Sequence, residues 1–182
     1  MTLPRSFVAI AGIRTTTFTS HAMTGIAIPL LVDARAFLLE DYLPKITRCL
    51  DALDEESVWW RPNESSNSIG NLILHLDGST RMWILGVAGG QRVVRDRDAE
   101  FSERTPLTKA ALLARLRSTL AEVDEVLGSL SEPTLLERRP ASQREVTVLW
   151  AVLHAVEHFA MHTGQIIQLA KMRSGAPIKL SR

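Results

Sequence analysis

Apolar residues in this chain recur at alternating spacings of three and four in four separate stretches, and no stretch of useful length alternates at a spacing of two. That is the period of an amphipathic helix with one buried face, so the chain is expected to be all-α. The first stripe is Leu39, Leu43, Ile46, Leu50 and Leu53, with Pro44 inside it. A proline there lacks the N–H a helix needs, which predicts a kink or a late helix start near Asp41. The second opens at Asn67 or Ser68, both good caps, runs through Ile69, Leu72, Ile73, Leu76 and Trp83, and stops at Gly89-Gly90. The third follows Pro106, with Thr108 as its cap, and runs Leu113, Leu116, Leu120, Val123, Leu127 and Leu130. The fourth is capped by Thr147 and extends to about Met172, before Ser174-Gly175 and Pro177. At 1.5 Å per residue it would be roughly 39 Å long. Four such helices sharing apolar faces predict a four-helix bundle.

The connections add detail. Residues 89–106 are crowded with Arg92, Arg95, Asp96, Arg97, Asp98, Glu100, Glu103 and Arg104 and show no helical period, so a long charged crossover is expected. Residues 131–146 contain Pro133 and Pro140, with room for one short helical turn. At 182 residues the chain makes one domain of ordinary size. Before Asp33 it holds Arg5 and Arg14 but no acid, and Arg14 breaks the apolar run Phe7–Ile13 that an export signal would need. Residues 1–30 therefore read as an extension, with Met23 as an alternative start. The bundle is assigned to 31–175 and a tail to 176–182.

Composition excludes several classes. A net charge of +1 provides no basic face for nucleic acid. The longest apolar runs fall short of a membrane span; Ile26–Val32, for example, is interrupted by Pro29. Cys49 is the one cysteine, which excludes a disulfide framework and any Cys-rich zinc site and fits a reducing, cytoplasmic setting. The five histidines remain as the main chemical resource.

His154, His158 and His162 follow one another at spacings of four on the fourth helix, so all three lie near one side of it. One ion cannot take all three, because the outer two are about 12 Å apart along the axis. At about 100° per residue, His162 falls within the stripe of Val148, Ala151, Val152, Ala155, Phe159, Ile166 and Leu169. His158 lies at its edge and His154 on the polar flank. The inward pair is thus His158 and His162, and two neutral imidazoles buried there need partners. His75, at the edge of the second stripe beside Leu72, is the candidate third ligand, since His21 falls in the extension. Three imidazoles with a fourth position open make a catalytic rather than a structural divalent site. The alternative motif His154-Ala155-Val156-Glu157-His158 matches H-x-x-E-H. It needs a third ligand downstream, where no Asp, Glu or His follows His162, and Glu157 points away from the apolar stripe.

The runs Asn67-Ser68-Ile69-Gly70-Asn71-Leu72-Ile73-Leu74-His75-Leu76-Asp77-Gly78, Arg81-Met82-Trp83-Ile84 and Glu157-His158-Phe159-Ala160-Met161-His162-Thr163-Gly164-Gln165-Ile166 resemble the second and fourth helices of the DinB/YfiT-like superfamily. Trp59-Trp60-Arg61-Pro62 and Asp98-Ala99-Glu100-Phe101 extend the likeness to its uncharacterised DinB-like group. The resemblance implies an up-down four-helix bundle, frequently a homodimer, with a metal on His75, His158 and His162. Thr163 stands where an Arg often precedes Gly-Gln, and Ser79 where Asn is common.

The expected function is that of a divalent-metal-dependent enzyme, with Zn or Ni as the metal, activating a low-molecular-weight thiol for S-transfer to an electrophile. Gln165 is the candidate substrate-binding residue, and the 89–106 segment or Trp59 and Trp60 would line the mouth. Cys49 is expected in the core. A metal-binding, stress-associated dimer without turnover is the alternative. A metal-dependent hydrolase is a further one, disfavoured because the inward faces offer no clear carboxylate base.

Overall fold

The computed structural model describes residues 25–103 and 107–180. His21 and the segment before it lie outside the described residues. The first long helix is made of α1 (Ala27–Ala36), a π-helical stretch (Phe37–Tyr42) and α2 (Leu43–Asp51), joined without leaving helical backbone angles. Pro44 explains the π stretch. Its ring would collide with the carbonyl four residues back, and a widened turn just before it absorbs the conflict. The disturbance expected near Asp41 is therefore a local widening, and the helix starts well upstream. Ala27, Leu31, Ala34 and Leu38 are all buried and extend the apolar stripe backwards at spacings of four and three. Among the described residues the first helix accordingly reaches back to Ala27.

A short helix, α3 (Glu55–Trp59), is capped by Asp54, whose carboxylate accepts from Ser57 N at 2.7 Å. The second long helix is α4 (Ile69–Thr80), continued by a π-helical stretch (Arg81–Ala88). Ser68, rather than Asn67, is its cap, accepting from Asn71 N at 3.1 Å. The chain leaves this helix at Gly89-Gly90, where Gly90 has φ +69°, a conformation that suits a residue without Cβ. The charged crossover contains a helical turn that its pattern hid, α5 (Arg97–Ser102), capped by Asp96. The third long helix, α6 (Lys109–Ser129), is capped by Thr108 as expected.

Between α6 and the last helix, α7 (Glu132–Leu136) supplies the short turn anticipated there. A two-stranded antiparallel hairpin, β1 (Arg138–Ala141) and β2 (Arg144–Thr147), follows. Ser142 takes φ +59° in its two-residue turn. Neither Ser142 nor Gln143 is a residue that favours such a turn, which is why the hairpin left no trace in the sequence pattern. The last helix, α8 (Val148–Arg173), has Thr147 as its cap.

The four long helices pack around a shared core in which Leu38, Ile46, Leu72, Ile73, Leu76, Leu116, Leu120 and Phe159 are fully buried. Phe159 carries the largest of these side chains, and removing such a group costs about 3–5 kcal/mol. A smaller cluster of Val87, Ala141, Val146 and Ala151, flanked by Trp83 and Trp150, fastens the hairpin to α4 and α8. Cys49 is buried as expected, and burial pushes its thiol up to about 11. Among the described residues no helix is long and apolar enough to cross a membrane.

Candidate metal centre

His75 projects from the middle of α4 towards α8, where His158 and His162 occupy successive turns. The three imidazoles meet: His75 Nε2 and His162 Nε2 each lie 3.2 Å from His158 Nε2. One ligand atom from each residue fits within 4.8 Å of the others. The helical angle placed these side chains correctly, for His75 and His162 are buried at 4% and 8% exposure and His158 is half-buried.

The outward nitrogens decide the tautomers. His75 Nδ1 lies 2.8 Å from Glu100 Oε2, which can only accept, and 3.1 Å from Arg95 Nη2, a donor already engaged at 2.8 Å on that same oxygen; the nearer partner assigns the proton to Nδ1. His162 Nδ1 is 2.6 Å from Gln165 Oε1, again an acceptor. Both rings therefore turn an unprotonated Nε2 inward, the arrangement by which outer partners orient metal-binding imidazoles. His158 is pushed down to about 3, first by burial and then by charge on His162, His75, His154 and Arg95. Burial also lowers His162, against the raising effect of the Gln165 hydrogen bond. Burial thus favours the uncharged form of His158 and His162, and the Nε2 atoms of His75 and His162 each face His158 Nε2 at 3.2 Å. Such a set fits a divalent transition ion through the chemistry of its donors.

Around this centre lies a ring of partners. Arg95 grips Glu100 through Nε at 2.6 Å and Nη2 at 2.8 Å. Burial alone would raise the Glu100 carboxyl, but hydrogen bonds from Arg95 and His75 and their charges hold it below its usual value. The Phe101 ring sits 4.5 Å from the His75 ring. Neither Arg95 nor Glu100 was singled out by sequence reasoning. The available signals were the unusual length of the charged crossover and the Asp98-Ala99-Glu100-Phe101 match.

Other candidates fall elsewhere. His154 stays out of the cluster and stacks on Trp150 at 4.7 Å, with its ring edge-on to Trp83 at 4.8 Å. Glu157 is 73% exposed, so the H-x-x-E-H arrangement does not assemble. Gln165 bonds His162 and also lines a cavity with Ser65, Ser66, Asn67, Gln168, Leu72 and Leu169. Trp59 packs over Gly70 and donates to the Leu107 carbonyl at 3.0 Å, while Trp60 stacks under Arg173 at 5.1 Å, so both rings secure the connection ahead of α4. The expectation of no carboxylate near the centre is corrected by Glu100. It lies in the charged crossover, and α5 turns it inward.

The fold and this centre define a class: an all-helical protein with a three-histidine group suited to one metal ion, held between two helices. Within that class the chain belongs to the DinB superfamily, whose sequence model matches residues 39–166. Its structure is similar to that of a DinB-like protein, YjoA, from Bacillus subtilis, with a TM-score of 0.62 at 17% identity. The match covers 81% of this chain and 95% of that one. No curated protein matches the sequence.

Proposed function

We propose that this protein is a divalent-metal-dependent enzyme that activates a low-molecular-weight thiol for S-transfer to an electrophile. In this reading the four long helices form an up-down bundle, and the protein acts in the cytoplasm as a homodimer. The observation that carries it is the convergence of three imidazoles, with the outward nitrogens of His75 and His162 each held by an acceptor. His75, His158 and His162 would hold the ion, Zn or Ni. Bound there, the ion supplies a Lewis acid that lowers the pKa of a thiol.

The chain's own residues supply orientation. Glu100 and Gln165 fix the His75 and His162 rings, and the core around Phe159 keeps α8 in register with α4. The cavity beside Gln165, lined by amide and hydroxyl side chains together with Leu72 and Leu169, offers hydrogen-bonding groups and apolar surface to a small thiol. In the transfer the thiol gives its proton to solvent, its sulfur bonds to the electrophilic carbon, and the leaving group departs with the electron pair of the bond that breaks. Cys49, buried and with a raised pKa, is not the nucleophile, so the thiol comes from outside. Hydrolysis is disfavoured by the position of Glu100. Its carboxylate sits behind His75, on the nitrogen away from the centre, and is gripped by Arg95. It cannot serve there as a base for water.

The test is an assay of zinc- or nickel-reconstituted protein with monochlorobimane and a panel of small thiols. Metal-dependent conjugation with at least one thiol is expected. Stoichiometric metal without turnover on any thiol would contradict S-transfer and favour a non-catalytic metal-binding protein.

A further inference from the structure

Helix α5 spans only six residues, too few to hold its shape alone, so its anchors are informative. The Asn71 amide, on the first turn of α4, donates to the carbonyls of Glu100 at 3.0 Å, Glu103 at 3.3 Å and Phe101 at 3.4 Å, at the end of α5. Asn71 is itself held by the Ser68 hydroxyl at 2.6 Å and by the Arg61 guanidinium. Phe101 lies against His75, with Arg97 over its outer face at 5.1 Å. The remaining anchor is Glu100, 8% exposed, which reaches across α4 to His75.

Glu100 reaches His75 because position 78 is glycine. A Cβ there would overlap Glu100 Oε1 and crowd Arg95 Nε at 3.2 Å. Gly78 lies inside a helix, where glycine costs about 1 kcal/mol relative to alanine. That cost is sensible only if the space is used. An Arg95–Glu100 pair made at the surface would avoid desolvation and need no such gap. What burial adds is the contact with His75.

We propose that Glu100 is a positioning residue of the metal centre, and that docking of α5 is linked to metal loading. This rests on the metal reading above. By holding the Nδ1 proton of His75, Glu100 keeps Nε2 free and aimed at His158 and His162. Linkage makes the effect reciprocal: whatever factor Glu100 adds to metal affinity, the metal returns to the docked state of α5. The charged crossover thus works as a clasp, closed by Asn71 at its end and by His75 at the centre.

The experiment is a zinc titration of the metal-free full chain against a chromophoric chelator, for wild type, Glu100→Ala, Glu100→Gln and Gly78→Ala. Glu100→Ala is expected to weaken zinc binding about 10–100-fold, the usual effect of removing an outer partner of a ligating histidine. Gly78→Ala should weaken it too, although it deletes no polar group. Glu100→Gln keeps the side-chain shape and should fall between wild type and Glu100→Ala, which preserves the test if the alanine variant does not fold. Two readouts separate positioning from mere stability. Long-range proton–nitrogen spectra of the metal-free chain should place the His75 proton on Nδ1 in wild type and show a mixture of the two tautomers in Glu100→Ala. Added zinc should slow amide exchange in residues 97–102 of wild type and leave it unchanged in the variant. Zinc affinity of folded Glu100→Ala or Glu100→Gln equal to that of wild type would overturn the positioning role and leave the metal site standing. A wild-type chain that takes up no zinc would overturn both.

Discussion

Two buried carboxylates meet α4 at neighbouring positions, and both are gripped by an arginine. Asp77 is 1% exposed and accepts from Arg115 Nε at 2.6 Å and the Thr119 hydroxyl at 2.5 Å, both on α6. Glu100 reaches the helix at Gly78 and accepts from Arg95 and His75. The first cluster closes on itself, since its donors and acceptors satisfy one another across α4 and α6. The second continues through the His75 ring to its Nε2, which faces His158 Nε2 at 3.2 Å. Similar burial and similar arginines therefore serve different ends. One tie fastens two helices, and the other orients a ligand.

The sharpest way to separate the two clusters is to remove a ligand. His158→Ala takes away the imidazole that lies 3.2 Å from both others and should abolish stoichiometric zinc uptake, read by elemental analysis after dialysis. The same variant should unfold in urea no earlier than the metal-free parent, because a desolvated imidazole is lost with it. Asp77→Ala should behave in the opposite way. It leaves the Thr119 hydroxyl without its acceptor, while Arg115, 56% exposed, can turn to solvent. The expected cost is about 2 kcal/mol, or a Tm lowered by about 4–8 °C, with zinc affinity unchanged. A variant that lost zinc binding along with stability would erase the distinction.

Acid should act on the histidine cluster. In the unfolded chain His158 takes a proton near its ordinary 6.5, whereas in the fold it does so only near about 3. Over that window the unfolded state binds more protons, so the metal-free protein loses stability as pH falls from about 6.5. Urea midpoints at pH 7 and 5.5 check the sign, and His158→Gln should flatten the slope. Midpoints that do not change would show that the imidazoles are not desolvated. The smallest expected effect is at Thr163, whose buried hydroxyl has no hydrogen-bond partner among the described residues. Thr163→Val should raise stability by about 1 kcal/mol, visible as a Tm gain of about 2–4 °C, and leave zinc binding alone.

The long helices were legible because each buries one continuous stripe, and because Ser68, Thr108 and Thr147 all cap as their positions implied. Legibility failed where tertiary contacts overrode local pattern. The helix over Ala27–Ala36 is masked by the acid-free composition before Asp33, although Ala27, Leu31, Ala34 and Leu38 carry the period. In the centre, His158 and His162 could be placed by angle on a single helix, and His75 by the edge of another. Glu100 and Arg95 could not. They sit in a segment with no period, and their inward turn depends on a missing side chain at Gly78 and on Asn71, each distant in sequence. Gln165 was recognised as a site residue from its place one turn beyond His162, but its contact is with the His162 ring.

The central claim is that three imidazoles from α4 and α8 form one metal site. Its most direct measurement is the metal content of the wild-type protein, purified gently without chelator and again after stripping and reloading with zinc or nickel. One ion per chain, recovered on reloading, is the expected result. A chain that carries no divalent metal and cannot be reloaded with either would contradict it.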